Sequence, residues 1–202
     1  MFNEICVNNK RPTGFSSKDE FWIASAKGNL SVSLIALGRT EEALEIILEL
    51  LEREDMKLNG QDTAVCYFYL SGIHRKDGNI DGASTAMKRC LEIRERLMPR
   101  HHFTGFAHHQ MGALLYIAGN YQESIVQFIR ALDILMICEC HPGAICRTAL
   151  ALSAALATQG SVEAERYHEV VNSYRARIHD TDVQELGEDA AQYDRFVAVG
   201  LG

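Results

Sequence analysis

The chain has 202 residues, of which 47% are hydrophobic and 23% charged, a composition typical of a soluble globular protein. Its net charge of −7 argues against a general nucleic-acid-binding protein, which usually carries a basic stripe that neutralises phosphates. Residues 1–20 contain no apolar core of signal-peptide length, and no apolar stretch reaches the roughly 20 residues that a membrane span requires. These features predict a cytoplasmic protein with neither a membrane nor a nucleic acid as partner, and its six cysteines are expected to be reduced thiols.

Four glycines recur along the chain at intervals of 40 or 41 residues: Gly38, Gly78, Gly119 and Gly160. A fixed period of this length indicates a repeat protein in which each repeat is one supersecondary unit. Glycine readily adopts the left-handed backbone conformation that ends many helices. Each of the four glycines is therefore predicted to separate two helices.

The helices are predicted in chain order from their apolar patterns and their caps. Residues 1–16 are expected to be loose, and a first helix should run from near Asp19 to Leu37, because Ser17 and Glu20 have the spacing of a capping box. Thr40 is predicted to cap a second helix, whose wide apolar arc needs contacts on two sides, as in a stacked array. The predicted spans after the first helix are 41–56, 62–77, 80–97, 103–118, 121–138, 142–159 and 161–178.

The segment that follows Ile178 is acidic and ends in a short apolar stretch. Tyr193, Phe196 and Val197 would share one face of a helix there. Repeat arrays need a terminal helix that is apolar inside and polar outside. Residues 180–202 are therefore predicted to form an acidic linker and a C-terminal capping helix.

Apolar and small residues stand in a shared register around each glycine. The first repeat reads Leu30, Ser31, Gly38, Ala43, Ile47, Leu50; the second Leu70, Ser71, Gly78, Ala83, Met87, Cys90; the third Met111, Gly112, Gly119, Ser124, Phe128, Ala131. The fourth begins with Leu152, Ser153 and Gly160 and then departs, because Glu165 takes the alanine position. Ala164 can take that place after a shift of one residue. The small residues are expected to let helices cross closely.

This register resembles the tetratricopeptide repeat family. The spacing near 41 residues and the pair His141-Pro142 resemble the long repeats of kinesin light chains. The resemblance implies an all-α fold, an α-solenoid of about four helix-turn-helix repeats with a C-terminal capping helix. The repeat domain is expected over 17–178, with repeats at about 19–57, 61–99, 102–140 and 142–179.

The resemblance also implies a scaffold or adaptor that binds a protein or peptide partner. In this family the first helix of each pair lines a concave groove. The same register puts polar and aromatic side chains there: Asn29, Tyr69, Arg75, His109, Gln110, Tyr116 and Arg147. Arginine offers a fork of donors to carboxylates or carbonyl groups, and tyrosine offers a rigid surface with a polar tip.

Two other interpretations of these features stay open. The groove residues can be ordinary solvated side chains, and Tyr69 and Tyr116 can pack between repeats. The protein can also act as a structural module that self-associates into a homo-oligomer, or as part of a larger tetratricopeptide signalling assembly. The apolar helix over 125–137 would then supply the contact face.

Two clusters carry residue types that bind metals. His101, His102, His108 and His109 crowd one region, but adjacent residues on a helix diverge by about 100°, which separates His108 from His109. Cys138, Cys140, His141 and Cys146 form the other cluster, in which the C-x-C spacing is tighter than in structural zinc sites. We therefore predict no metal and no cofactor, with a metal or redox switch at the cysteines as the weaker alternative.

No motif of a known catalytic type occurs in the sequence. Phosphate-binding loops, nucleophile elbows and the zinc-protease signature are all missing. The chain is therefore not expected to be an enzyme, and no catalytic residue is predicted.

Overall fold

The structure, a computed structural model, describes residues 17–52 and 60–178. Within these ranges the chain forms eight helices and no strand, so the all-α prediction is confirmed. The helices are α1 (Ser17–Ala36), α2 (Thr40–Glu52), α3 (Gly60–Lys76), α4 (Ile80–Leu97), α5 (His102–Ile117), α6 (Tyr121–Ile137), α7 (Pro142–Thr158) and α8 (Ala164–Arg175). The loose N-terminus and the C-terminal cap predicted from the sequence lie outside the described residues.

Most helix bounds agree with the sequence-based spans to within two residues, but α8 starts three residues later and ends three residues earlier than predicted. Residues 53–56 of the predicted second helix lie outside the described residues. Ser161 accepts a hydrogen bond on its hydroxyl from the Glu163 N–H (3.3 Å), and its carbonyl accepts one from the Ala164 N–H (3.3 Å). These bonds form a turn that competes with helix at the start of the segment. The last helix therefore begins at Ala164.

The turns at the four repeating glycines share one hydrogen-bond pattern. At Gly119, which has a φ of 78°, the N–H donates to the Tyr116 carbonyl (3.0 Å), and the next N–H, of Asn120, donates to the Leu115 carbonyl (2.8 Å). This is the Schellman arrangement, which requires the left-handed conformation. Glu139 ends α6 in the same way with a φ of 50°, without any glycine to mark it in the sequence.

Small residues bring the two helices of a repeat into close contact, as the register predicts. A Cβ atom on Gly112 would lie 2.8 Å from the ring of Phe128, so only glycine fits beside that ring. Ser124 donates a hydrogen bond across the same contact to the Gly112 carbonyl (2.8 Å). In the fourth repeat Ala164 is buried and Glu165 exposed, which confirms the one-residue shift.

The helices stack as consecutive antiparallel pairs: α1 with α2, α3 with α4, α5 with α6, and α7 with α8. Apolar clusters fill the spaces within and between these pairs, so the core is continuous along the array. First helices of neighbouring repeats also contact one another, α1 with α3 and α5 with α7. We call the surface that the first helices form the inner side of the array. In the described part of the chain, no helix is both long and apolar enough to cross a bilayer.

Candidate partner-binding groove

Three basic side chains converge on the inner side of the array from successive first helices. Arg75 lies on α3, His109 on α5 and Arg147 on α7. Burial lowers the pKa of His109 well below its usual value, and the charges of Arg147 and Arg75 lower that pKa further. The positive charges of both guanidinium groups therefore act on the imidazole ring. We call these three residues the basic centre.

His109 is fixed within the basic centre as a neutral ring. Its Nδ1 lies 3.0 Å from the Thr148 hydroxyl, which itself donates to the Ala144 carbonyl (3.0 Å). Because a hydroxyl has a single hydrogen, Nδ1–H must be the donor to Thr148, and Nε2 is left as an acceptor. The ring also lies 5.4 Å from that of Phe128. His109 therefore joins the third and fourth repeats and presents only 4% of its surface to solvent.

The two tyrosines proposed for the groove pack between repeats and keep part of their surface exposed. Tyr69 packs into the apolar cluster between the first two repeats, and burial raises its pKa. Tyr116 lies 5.3 Å from the Tyr121 ring, edge to face, and its hydroxyl is 3.3 Å from that of Thr158 on α7. Each tyrosine therefore supports the array and borders its inner surface.

Asn29 and Gln110 occupy equivalent positions in their repeats but differ in exposure. Asn29 is exposed on α1, whereas only 3% of Gln110 is exposed. Their exposure differs because helices on both sides contact α5, whereas α1 is the first helix that the structure describes. Arg147 is also largely covered, at 9% exposure, whereas Arg75 is half-buried. Asn29, Tyr69, Arg75 and Tyr116 therefore offer more surface to a ligand than His109, Gln110 and Arg147 do.

Thr148 and Phe128 also shape this site, although the sequence pattern did not predict a role for them there. Thr148 positions His109 through a hydrogen bond, and Phe128 packs against both His109 and Gly112. A polar residue within the apolar run of α7 was the signal that could have indicated Thr148.

The side chains of the histidine and cysteine clusters make separate contacts with different neighbours. His108 lies 2.7 Å from Gln127 and 3.4 Å from Glu95, so its ring faces different neighbours from that of His109. Cys138 donates to the Arg100 carbonyl (3.2 Å), and burial raises the pKa of Cys146 to about 11. Over residues 17–52 and 60–178, no three His, Cys, Asp or Glu side chains are grouped closely enough to hold a metal ion.

Comparison with known proteins agrees with this architecture. The family model described as "Tetratricopeptide repeat" matches residues 22–96 and 62–137, which together cover more than half of the chain. The chain belongs to the tetratricopeptide repeat family. Such repeats generally mediate protein–protein interactions and are generally non-catalytic scaffolds.

Two solved structures share the tetratricopeptide fold with this chain. BtubC (BKLC) from P. vanneervenii is 19% identical with a TM-score of 0.70, and the match covers 85% of this chain and 70% of that one. The "nearly identical TPR-like repeats" of a candidate kinesin light chain from Podosopora anserina are 14% identical with a TM-score of 0.61, covering 85% and 86%. At these identities the likeness shows the fold alone. No curated protein matches the sequence significantly.

Proposed function

We propose that this tetratricopeptide protein is an adaptor that docks an extended or helical segment of a partner along its inner groove. The observation that supports the proposal is that Arg75, His109 and Arg147 lie on three successive first helices and that the charges of both arginines act on His109. A segment lying across the repeats would meet Arg75 and the accessible part of Arg147, with His109 buried beneath them. Arg75 and Arg147 would donate hydrogen bonds to its carboxylates or backbone carbonyl groups.

The partly exposed residues around the basic centre give the groove its other contacts. Tyr69 and Tyr116 would offer rigid aromatic edges, and Asn29 would pair with a backbone amide of the partner. His109 and Gln110 would act mainly by holding the neighbouring helices in position, because both are buried. The neutral His109 ring keeps a third positive charge out of the centre, so the charge there comes from the two arginines.

The groove can be tested by substituting its more accessible residues and leaving the buried ones in place. A variant with Asn29→Ala, Arg75→Ala and Tyr116→Ala is expected to lose the partners that the wild-type protein captures from lysate of its source cells. A control with Lys88→Ala, Arg89→Ala and Arg130→Ala changes exposed positions on second helices and should retain them. Circular dichroism and thermal melting would show that both variants fold. Equal capture by the groove variant and the control would refute groove binding.

Self-association is a second candidate, and one stripe of exposed apolar residues favours it. Ile23 and Leu30 on α1 and Leu37 just after it are spaced seven residues apart and are 40%, 49% and 71% exposed. This spacing keeps apolar side chains on one helix face, as in helical interfaces. We expect light scattering to show dimers or larger species at high concentration if the stripe is an interface. Leu30→Glu should then give monomers, whereas Ser33→Glu, at an exposed position on the same helix, should not. A wild-type protein that stays monomeric at all concentrations would exclude this role.

A further inference from the structure

A buried positive charge lies at the junction of the second and third repeats. Arg94 in the last turn of α4 is only 4% exposed. Its Nε donates to the Cys90 sulfur (3.2 Å), and its guanidinium carbon lies 5.1 Å from the Phe103 ring centre and 5.8 Å from that of Phe68. Among the residues that the structure describes, no Asp or Glu forms an ion pair with Arg94.

The contacts of Arg94 do not supply a full counter-charge. Aromatic faces stabilise a cation only partly. Burial raises the pKa of the Cys90 thiol, and so favours the neutral thiol, which is a weak acceptor. Buried charges in proteins are normally paired or bound to an ion of opposite sign. The surroundings of Arg94 therefore suit an external anion.

A cavity of about 320 Å³ opens directly beside Arg94. That volume is within the range of about 300–1,000 Å³ common for small-molecule sites. The walls are mostly apolar and come from the start of α3, the end of α4 and the start of α5; they include Val65, Ile93, Leu97, Met98 and Phe103. The cavity thus combines one buried cation with mostly apolar walls, to which Gln61, Asp62 and His101 add polar groups. We call it the Arg94 pocket.

Asp62 also lines the Arg94 pocket but does not behave as the partner of Arg94. Burial raises the pKa of this carboxyl group. A carboxylate held against a guanidinium would instead have its pKa lowered. The N-terminal turns of α3 and α5 also border the pocket, and their backbone N–H groups favour negative charge.

We propose that the Arg94 pocket binds a carboxylate attached to an apolar or aromatic body. The carboxylate accepts hydrogen bonds from the Nη groups of Arg94, since Nε is used by Cys90. The body lies against Phe103 and the aliphatic side chains of the walls. This site is separate from the inner groove and does not depend on its function.

Calorimetry with defined probes tests the Arg94 pocket. Octanoate and 4-phenylbutyrate are expected to bind the wild-type protein saturably, and octanamide and 4-phenylbutyramide at least about tenfold more weakly, because the amides lack the charge. Arg94→Met should abolish the preference for the acids. Arg96→Met, at an exposed position on the same helix, should keep it. Acids that bind no better than amides, or that bind Arg94→Met as well as the wild type, would overturn the proposal.

A second variant and a peptide probe complete this test. If Arg94→Met does not fold, Met98→Trp fills the pocket while leaving Arg94 in place, and it should remove binding of both acids. Unchanged binding to Met98→Trp would also overturn the proposal. A blocked tripeptide with a free C-terminal phenylalanine, compared with its amide, shows the source of the carboxylate. Preference for that peptide over the small acids assigns the pocket to a protein terminus, and the reverse assigns it to a free organic acid.

Discussion

Gly112→Leu is expected to lower the free energy of unfolding by about 3 kcal/mol or more, because it forces a side chain into a filled contact. The Cβ atom alone would lie 2.8 Å from the Phe128 ring, and Phe128 is itself 2% exposed with little room to move. Ser124 also donates a hydrogen bond to the Gly112 carbonyl, so separating α5 from α6 would break a buried polar contact. Urea denaturation followed by circular dichroism measures the loss.

The matched control for Gly112→Leu is Gly28→Leu. Gly28 is also a helical glycine, but a Cβ atom placed on it would meet no neighbouring side chain or packed helix within 4 Å. Leucine there should stabilise α1 by up to about 1 kcal/mol, because glycine is a poor helix former. A double variant that adds Phe128→Ala to Gly112→Leu should be more stable than the sum of the two single losses predicts, because the smaller residue makes room for the larger. Additive losses would mean that the two residues do not share this contact.

Mild acid is expected to destabilise the protein through His109. The native ring is held neutral because its pKa is lowered well below 6.5 by burial and by Arg147 and Arg75. The unfolded chain takes up a proton near pH 6.5, so below that pH the unfolded state binds more protons than the native state. Stability is therefore full above about pH 6.5 and is lost as the pH falls toward the native pKa. The expected result is a free energy of unfolding that falls steadily as the pH is lowered below about 6.5.

His109→Gln tests this origin of the acid sensitivity. Glutamine can still donate to Thr148 but cannot take up a proton, so unfolding free energies measured between pH 7 and pH 5 should depend less on pH. Burial also lowers the pKa of His108, so part of the dependence should remain in the variant. His74→Gln, at a partly exposed position on α3, serves as the control and should behave as the wild type. An unchanged pH dependence in His109→Gln would show that His109 is not its source.

The sequence predicted the repeat architecture well because its signals are local. Glycines at a fixed period indicate left-handed turns between helices, and all four of these glycines have a positive φ. The close contact at Gly112 followed from a single small residue in register with its repeats. Glu139 was not predicted to take the same conformation, because only the surrounding helices hold a non-glycine residue there.

The candidate site was harder to predict because exposure depends on neighbours distant in sequence. Periodicity assigns a residue to a face of its helix, but it does not say how far the next repeat covers that face. For this reason His109 and Gln110 are buried, although Asn29, which is equivalent to Gln110, is exposed. Arg94 lies in a stretch whose alternating charges are typical of a solvated helix, yet two aromatic rings and the third repeat enclose it.

The polar bridges between α5 and α7 have a mechanical consequence. His109–Thr148 and Tyr116–Thr158 tie the last two repeats together at two points along the inner surface. Such bonds have a preferred direction and length, so they resist sliding and twisting. The cluster between the first two repeats is dominated by apolar contacts, which tolerate small shifts because they are not directional. When the solenoid is stretched, or when a bulky segment enters the groove, the N-terminal repeats should therefore shift relative to one another more than the last two repeats do. Most of the change in the length of the solenoid should then occur in its N-terminal repeats.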